Sequence, residues 1–486
     1  MTTNEQAPLD AAQLVSGLRA TLRQGRTRPA KWRLEQIHGI QKLVEENEDE
    51  ICAALHSDEH KPRHEAFISE VHAVISSCKL TTKNLHKWMA PEKRSVNLAV
   101  WPASASVVPE PLGVALVISP WNFPFLLALD PVIGAIAAGC TVCIKTSEVA
   151  PATSALIARL IPKYLDTDAI QVVEGGVPEV TALLEQRWDK IFYTGNAKVG
   201  RIIMGAAAKH LTPVTLELGG KCPLFIDDTV DFQVASRRLL VGKFGSNNGQ
   251  ACIAPDYILV EEHLAPKLIK QLKSTIVEFY GEDPSQSKDL SRIVSKNHFQ
   301  RLSGLLDDPS TADKIVHGGE RDEKTLYIAP TLVENPPLDS PIMSEEIFGP
   351  LLPIITVKDF DAAIDLINDK PKPLAVYLFS TNKNYVKRFT EETSSGALVT
   401  NDCILQFVVP DLPFGGVGES GTGAYHGKAS FDSFSHRKSV LLKNMGGDVS
   451  ARYPPFTPVK QGLIRALLRG EFFSLILIGL GLKKPL

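Results

Sequence analysis

Cys252 stands in NNGQACIAPD, residues 247–256, between a Gly-Gln pair and a proline-closed turn. A cysteine in such a setting is either a small core residue or a nucleophile. Two other residues bear on the choice. A thiolate that attacks a carbonyl carbon needs a hydrogen-bond donor for the developing oxyanion, and the side-chain amide of Asn122, in SPWNFP, is of the right type. Glu217 lies inside TLELGG with Leu216 and Leu218 on either side. A carboxylate in apolar surroundings has a raised pKa and makes a general base near neutral pH. Together the three residue types fit acyl-type chemistry at a cleft.

A second group could hold a nucleotide. Lys145 and Glu148, three residues apart after an apolar run, could grip ribose hydroxyls, the acid repelling a 2′-phosphate. The plain alternative is a surface ion pair, which is worth little. No GxGxxG follows a strand pattern, and the nearest substitute is Gly195-x4-Gly200, a glycine turn into a helix. Cys140-x2-Cys143 reads as structural: alternation along GCTVCIKT does not put both thiols on one face, and no second pair exists, so no metal is expected.

The elements that must position these residues follow from periodicity. Between Gly113 and Gly219 short β-branched runs (113–119, 141–146, 170–175, 190–195 and 213–219) alternate with helical patterns over Ala152–Leu165 and Val199–His210. That alternation predicts a doubly wound parallel sheet, which binds ligands beyond the carboxyl ends of its strands. The runs PLFID, IVHGG, LLPIITV, LAVYLFS and GALVTN repeat it less regularly, so two α/β domains are expected, with a boundary near Glu217. Upstream, Leu14, Val15, Leu18 and Leu22 share a helix face. Trp32 to Leu55 continues the helical pattern, and Ser95 to Gly113 reads as an extended edge strand and linker.

The totals agree. At 486 residues the chain exceeds one ordinary core, and 44% hydrophobic with 22% charged residues is a globular composition. A net charge of -3 excludes a general attraction to nucleic acid. Seven scattered cysteines suit reduced thiols, and MTTNEQAPLD has no signal-peptide pattern, so a cytoplasmic location is expected. At the far end Leu463, Ile464, Leu467 and Leu468 recur at helical spacing, with Arg465 and Arg469 opposite. An apolar run from Phe472 to Leu482 follows, too short to span a bilayer. It reads as a tail helix packed on the body or a partner subunit, or as an interfacial anchor closed by Lys483 and Lys484.

PWNFP, FYTGNAKVG, TLELGGK, NNGQACIAP, EEIFGP and LPFGGVGESGTGAYHGKASFDSFSHRKSV, in that order, resemble the aldehyde dehydrogenase superfamily. GRTRPAKWR and AYHGKASFDSFSHRK look like its class 3 branch, of plant type, which includes fatty aldehyde dehydrogenases. The resemblance implies two Rossmann-like domains and a small β arm: residues 1–83, 104–214 and 413–431 for NAD(P), 215–412 for catalysis, 84–103 and 432–450 for the arm, and 451–486 for the tail. It implies oxidation of medium or long aliphatic, or aromatic, aldehydes to acids, with NAD as cofactor and NADP also accepted, by a homodimer. Coenzyme A-acylating, reductive and non-catalytic relatives are the alternatives. Cys252 would be the nucleophile, Asn122 with the Cys252 amide the oxyanion hole, and Glu217 the base. Trp121, Lys145, Glu148, Gly195, Asn196, Val199, Leu218, Gly219, Glu346 and Phe348 would bind cofactor. Phe123, Phe125 and Phe414 would wall an apolar substrate tunnel. The tail is compatible with association with the endoplasmic reticulum membrane.

Overall fold

The computed structural model describes residues 9–97, 100–446 and 448–484. The chain divides into two compact units. One comprises 1–85 and 111–434, the other 86–110 and 435–486.

The first unit holds two large sheets and a two-stranded one, Arg321–Asp322 with Tyr327–Ile328. In the six-stranded sheet, Val114–Ile118 lies between Thr141–Lys145 and Lys190–Thr194; Ile170–Val173 and Val214–Glu217 lie outside these, and Gly421–Thr422 closes the edge beside Val214–Glu217. All neighbours run parallel except the last, where Gly421 faces Glu217 and Thr422 faces Leu216. The chain thus winds outward from Val114–Ile118 first to one side and then to the other. That reversal is the point at which such sheets bind ligands. The strands Val114–Ile118, Thr141–Lys145 and Lys190–Thr194 are buried throughout, which explains why they read as continuous apolar runs without alternation. The connecting helix Leu126–Ala138 is buried along its whole length and stops at Gly139, whose φ of 93 a side chain rarely adopts.

The second, seven-stranded sheet has the order Ile315–His317, Thr331–Glu334, Leu351–Val357, Tyr257–Glu261, Pro223–Ile226, Ala375–Phe379, Ala397–Thr400. Only Ile315–His317 runs antiparallel.

The helical pattern from Trp32 to Leu55 is two helices, Ala30–Glu46 and Glu48–Glu59. Asn47 breaks it, leaving helical geometry while its side chain donates to Leu43 O at 2.7 Å and Tyr164 Oη at 3.0 Å. In the second unit a three-stranded sheet joins Glu92–Arg94, Ala103–Pro111 and Ser435–Lys443. Residues 104–110, expected in the cofactor domain, fall in this second unit, where Val107 to Ala105 pair with Glu92 to Arg94. The same unit carries the helices Pro458–Leu468 and Phe472–Gly479.

Candidate active site

At the carboxyl ends of the central strands of the six-stranded sheet opens a cavity of about 750 Å³. Asn122, Glu217 and Cys252 line it, as does each of the ten residues expected to bind cofactor.

Cys252 follows a run of left-handed backbone: Asn247 (φ 47), Asn248 (φ 50) and Gly249 (φ 80). Glycine is required at the third position, since a Cβ there would stand 2.3 Å from Gly349 O. Gln250 braces the turn, donating to Asn247 O and Arg292 O at 3.0 Å and accepting from Val294 N at 3.0 Å. Beyond the cysteine, Tyr377 Oη donates to Ile253 O at 2.5 Å. Cys252 alone among the seven cysteines is partly exposed. Burial of the sulfur, then the nearby Glu346 and Glu217 carboxylates, push its thiol up, while the Cys252 and Ile253 amides pull it down. The balance leaves a neutral thiol that needs a base to become a nucleophile.

Glu217 ends its strand with 2% of its surface exposed. Neither carboxylate oxygen has a hydrogen-bond partner. Desolvation holds its carboxyl well above the usual range, and Lys190 acts against this. Lys190 is on the neighbouring strand, where Phe192 faces Thr215 and Thr194 faces Glu217, so alternation puts Lys190 and Glu217 on one face. Its Nζ donates to Thr215 Oγ1 at 2.7 Å, and burial brings the ammonium down to about 8. An orphaned, buried carboxylate facing a cavity is costly to stability and is usually kept for its chemistry. Asn122 Nδ2 donates to Gln250 O at 2.9 Å, which ties the amide to the cysteine turn and leaves its second N–H for another acceptor.

The far side of the cavity suits a dinucleotide. Lys145, nearly buried, donates to Thr146 O at 2.5 Å and Glu148 Oε2 at 3.3 Å. Asn196 caps the helix Ala197–Ala208 by accepting from Val199 N at 3.0 Å, so that helix points its positive end at the cavity. A Cβ on Gly195 would lie 2.2 Å from Tyr193 Oη, and one on Gly200 would lie 3.0 Å from Leu218 Cδ2. These close approaches leave no room for a side chain at either position. Glu346 is half-buried beside Gly219, its carboxyl held up to about 8 by desolvation and then by Asp256. Phe348 takes φ 54 and meets Trp121 edge-on, with ring centroids 5.3 Å apart.

His298 and Arg301 also line the cavity, and sequence reading missed them. Burial and Arg301 bring His298 down to about 4, so the ring is neutral. Its Nε2–H donates to Phe348 O at 2.7 Å while Nδ1 accepts from Arg301. Arg301 also bonds Glu345 and the carbonyls of Glu346 and Ile347, so the pair fixes the EEIFGP segment. Only charge and helical spacing could have signalled them. Phe123, Phe125 and Phe414 lie outside the cavity lining. Phe125 is wholly buried, Phe123 lies under Lys61, and Phe414 packs among Phe407, Tyr425 and His426. Among the described residues no cluster of three or more metal-ligating side chains occurs.

The comparisons with known proteins bear on this geometry. The family model described as "Aldehyde dehydrogenase family" matches residues 2–440. "Aldehyde dehydrogenase family 3 member H1" of Arabidopsis thaliana is 54% identical over 473 residues, covering 97% of this chain and 98% of that protein. A substrate-bound structure of Staphylococcus aureus AldH superposes with a TM-score of 0.91 at 42% identity, covering 94% of this chain and 99% of that one. An NAD-dependent aldehyde dehydrogenase from Sinorhizobium meliloti superposes at 0.81 with 28% identity, covering 92% and 88%. With a match this long, on a chain whose cavity gathers a turn-borne cysteine, an orphaned glutamate and an amide, the chain belongs to the aldehyde dehydrogenase family.

Proposed function

We propose that Cys252 is the nucleophile of this enzyme, that Asn122 and the Cys252 amide hold the oxyanion, and that Glu217 is the base of the second half-reaction. The chain oxidises aldehydes to carboxylic acids with NAD(P)+. One observation carries the assignment of roles: the only partly exposed cysteine shares a cavity with a carboxylate that has no other partner.

In this reading each residue has a task. Once water has taken the Cys252 thiol proton, the sulfur forms a bond to the aldehyde carbon, and the carbonyl oxygen, now an oxyanion, takes hydrogen bonds from Asn122 Nδ2 and the Cys252 N–H. Bound nicotinamide supplies the acceptor for the hydride that the tetrahedral carbon gives up. The acyl group is left on sulfur as a thioester. Glu217 then takes a proton from water, the hydroxide oxygen adds to the acyl carbon, and the C–S bond breaks to release carboxylate and thiolate. Lys145, Glu148 and the Asn196-capped helix would hold the adenosine and pyrophosphate, Glu148 favouring NAD over NADP by charge; Trp121, Leu218, Gly219, Glu346 and Phe348 would seat the nicotinamide ribose. Nothing favours a coenzyme A-acylating or structural role, and Glu217 argues against the former. Replacing Cys252 with Ala should abolish NADH formation and spare cofactor binding. A Cys252→Ala protein that keeps a sizeable fraction of the parent rate would overturn the nucleophile.

The substrates proposed are medium or long aliphatic and aromatic aldehydes; comparing kcat/KM along a chain-length series tests this. A homodimer paired through the three-stranded arm, and the cofactor, catalytic and arm divisions outlined from the sequence, belong to the same reading. So does cytoplasmic location with the tail lying on the endoplasmic reticulum surface. Among the described residues no helix is long and apolar enough to cross a membrane. Phe472 and Phe473 on the last helix and Leu480 just beyond it are 60%, 83% and 67% exposed, with Lys460, Arg465, Arg469 and Lys483 nearby in the chain. Exposed aromatic and aliphatic residues flanked by cations suit an anionic interface.

A further inference from the structure

A buried charged cluster lies directly behind Asn122. The side chains of Glu59, Lys61 and Glu70 have no exposed surface. Lys61 Nζ pairs with Glu70, lies 3.1 Å from Glu59 Oε2, and donates to Asn122 O at 3.0 Å. The same carbonyl accepts from Asn247 Nδ2 at 2.7 Å, and that amide also donates to Glu59 Oε1 at 2.6 Å. Glu70 Oε2 accepts from Phe125 N at 2.8 Å and Leu126 N at 3.2 Å, and the Lys61 ammonium stands 4.3 Å over the Phe123 ring. Glu65 Oε1 accepts from Asn247 N at 2.6 Å. One short segment, Glu59 to Glu70, therefore grips both the loop that carries Asn122 and the turn that carries Cys252.

Such a cluster is expensive to bury, because desolvation opposes every charge in it. Burial pushes Glu59 up to about 8 and Glu65 up to about 7, with Lys61 acting against both shifts. A pair of apolar side chains would join the loops at lower cost. What the ions add is direction: three fixed donors and acceptors define where the Asn122 main chain sits. An oxyanion hole lowers a barrier only when its donors are in place before charge develops. We propose, resting on Asn122 as the oxyanion donor, that Lys61 is a positioning residue: it locks the Asn122 main chain and, through Asn247, the separation between the Asn122 amide and the Cys252 sulfur.

A double-mutant cycle on the full-length enzyme tests this, reading kcat/KM for an aldehyde together with NAD+ binding by fluorescence titration. Asn122→Ala should lower kcat/KM about 100-fold, as for other oxyanion donors. Lys61→Met should lower it about 10-fold with NAD+ affinity unchanged, yet cost less than about 2-fold more in the Asn122→Ala background, because the two act through one interaction. An undiminished 10-fold loss in that background would make Lys61 merely structural and overturn the proposal, as would a fully active Lys61→Met enzyme. Full activity of Asn122→Ala would instead remove the donor itself, a distinct failure that takes the role of Lys61 with it. Should Lys61→Met not fold, Asn247→Gly serves in its place. Glycine tolerates φ 47 while both side-chain bonds disappear, so the same non-additivity is required of it.

Discussion

A methyl group on Gly219 would stand 2.1 Å from Glu346 Oε2. The strand that ends in Glu217 thus continues into a segment that only a hydrogen atom separates from the carboxylate proposed to hold the nicotinamide ribose. Gly219→Ala should displace Glu346 and raise KM for NAD+ about 10-fold, the worth of one hydrogen bond to a charged group. Initial rates at saturating aldehyde check this. An unchanged KM would detach Glu346 from cofactor binding.

Burial holds Glu217 well above the ordinary carboxyl range, so its ionised fraction grows as pH rises. If water activation depends on that carboxylate, the steady-state rate should climb with pH. In Glu217→Gln the climb should vanish and turnover should fall about 100-fold, while a pre-steady-state burst of NADH remains. Stopped-flow records at several pH values separate the two steps, and loss of the burst along with turnover would deny Glu217 this role.

The Glu346 carboxyl, held up to about 8 from its usual 4.5, links stability to pH. Its folded-state value exceeds its unfolded value, so the folded protein binds more protons between pH 4.5 and 8, and stability is lost as pH rises across that window. Glu346→Gln removes this titration. Its unfolding free energy should gain on the parent's as pH rises from 5 to 8, by no more than about 1.4 kcal/mol per pH unit. Scanning calorimetry of both proteins decides, and a constant offset would show that the carboxyl titrates normally.

Removal of residues 471–486 should abolish sedimentation with anionic vesicles while preserving kcat. Vesicle binding that survives the deletion, or a parent protein that never binds vesicles, would eliminate the interfacial tail.

The chemistry was more legible in the sequence than its support. Cys252 and Glu217 are conspicuous locally, one in a Gly-rich turn and the other between leucines, and the structure brings both to one cavity. The parallel sheet was legible because strands buried on both faces are written as β-branched runs. Lys61 was not: in HKPRHEAFISE it reads as one more surface charge, and its burial among Glu59, Glu65 and Glu70 is a product of tertiary packing. Asn47 was missed for a related reason, since a polar residue within a helical pattern announces a break only when its side chain finds partners such as Leu43 O and Tyr164 Oη. Hydrophobicity drew attention to Phe125, but it says nothing about which wall a ring faces.

The short strand Gly421–Thr422 has a consequence for biosynthesis. Glu217 takes its parallel neighbour, Thr194, from a segment made before it, while Gly421 pairs with it antiparallel and Ser420 O accepts from Leu218 N at 3.1 Å. A nascent chain can therefore form the turn that carries Cys252 and most of both large sheets while the strand bearing Glu217 still lacks its outer partner. Ribosome-stalled intermediates ending before residue 420 should be hydrolytically silent, and those that include Gly421–Thr422 with the segment around it should not.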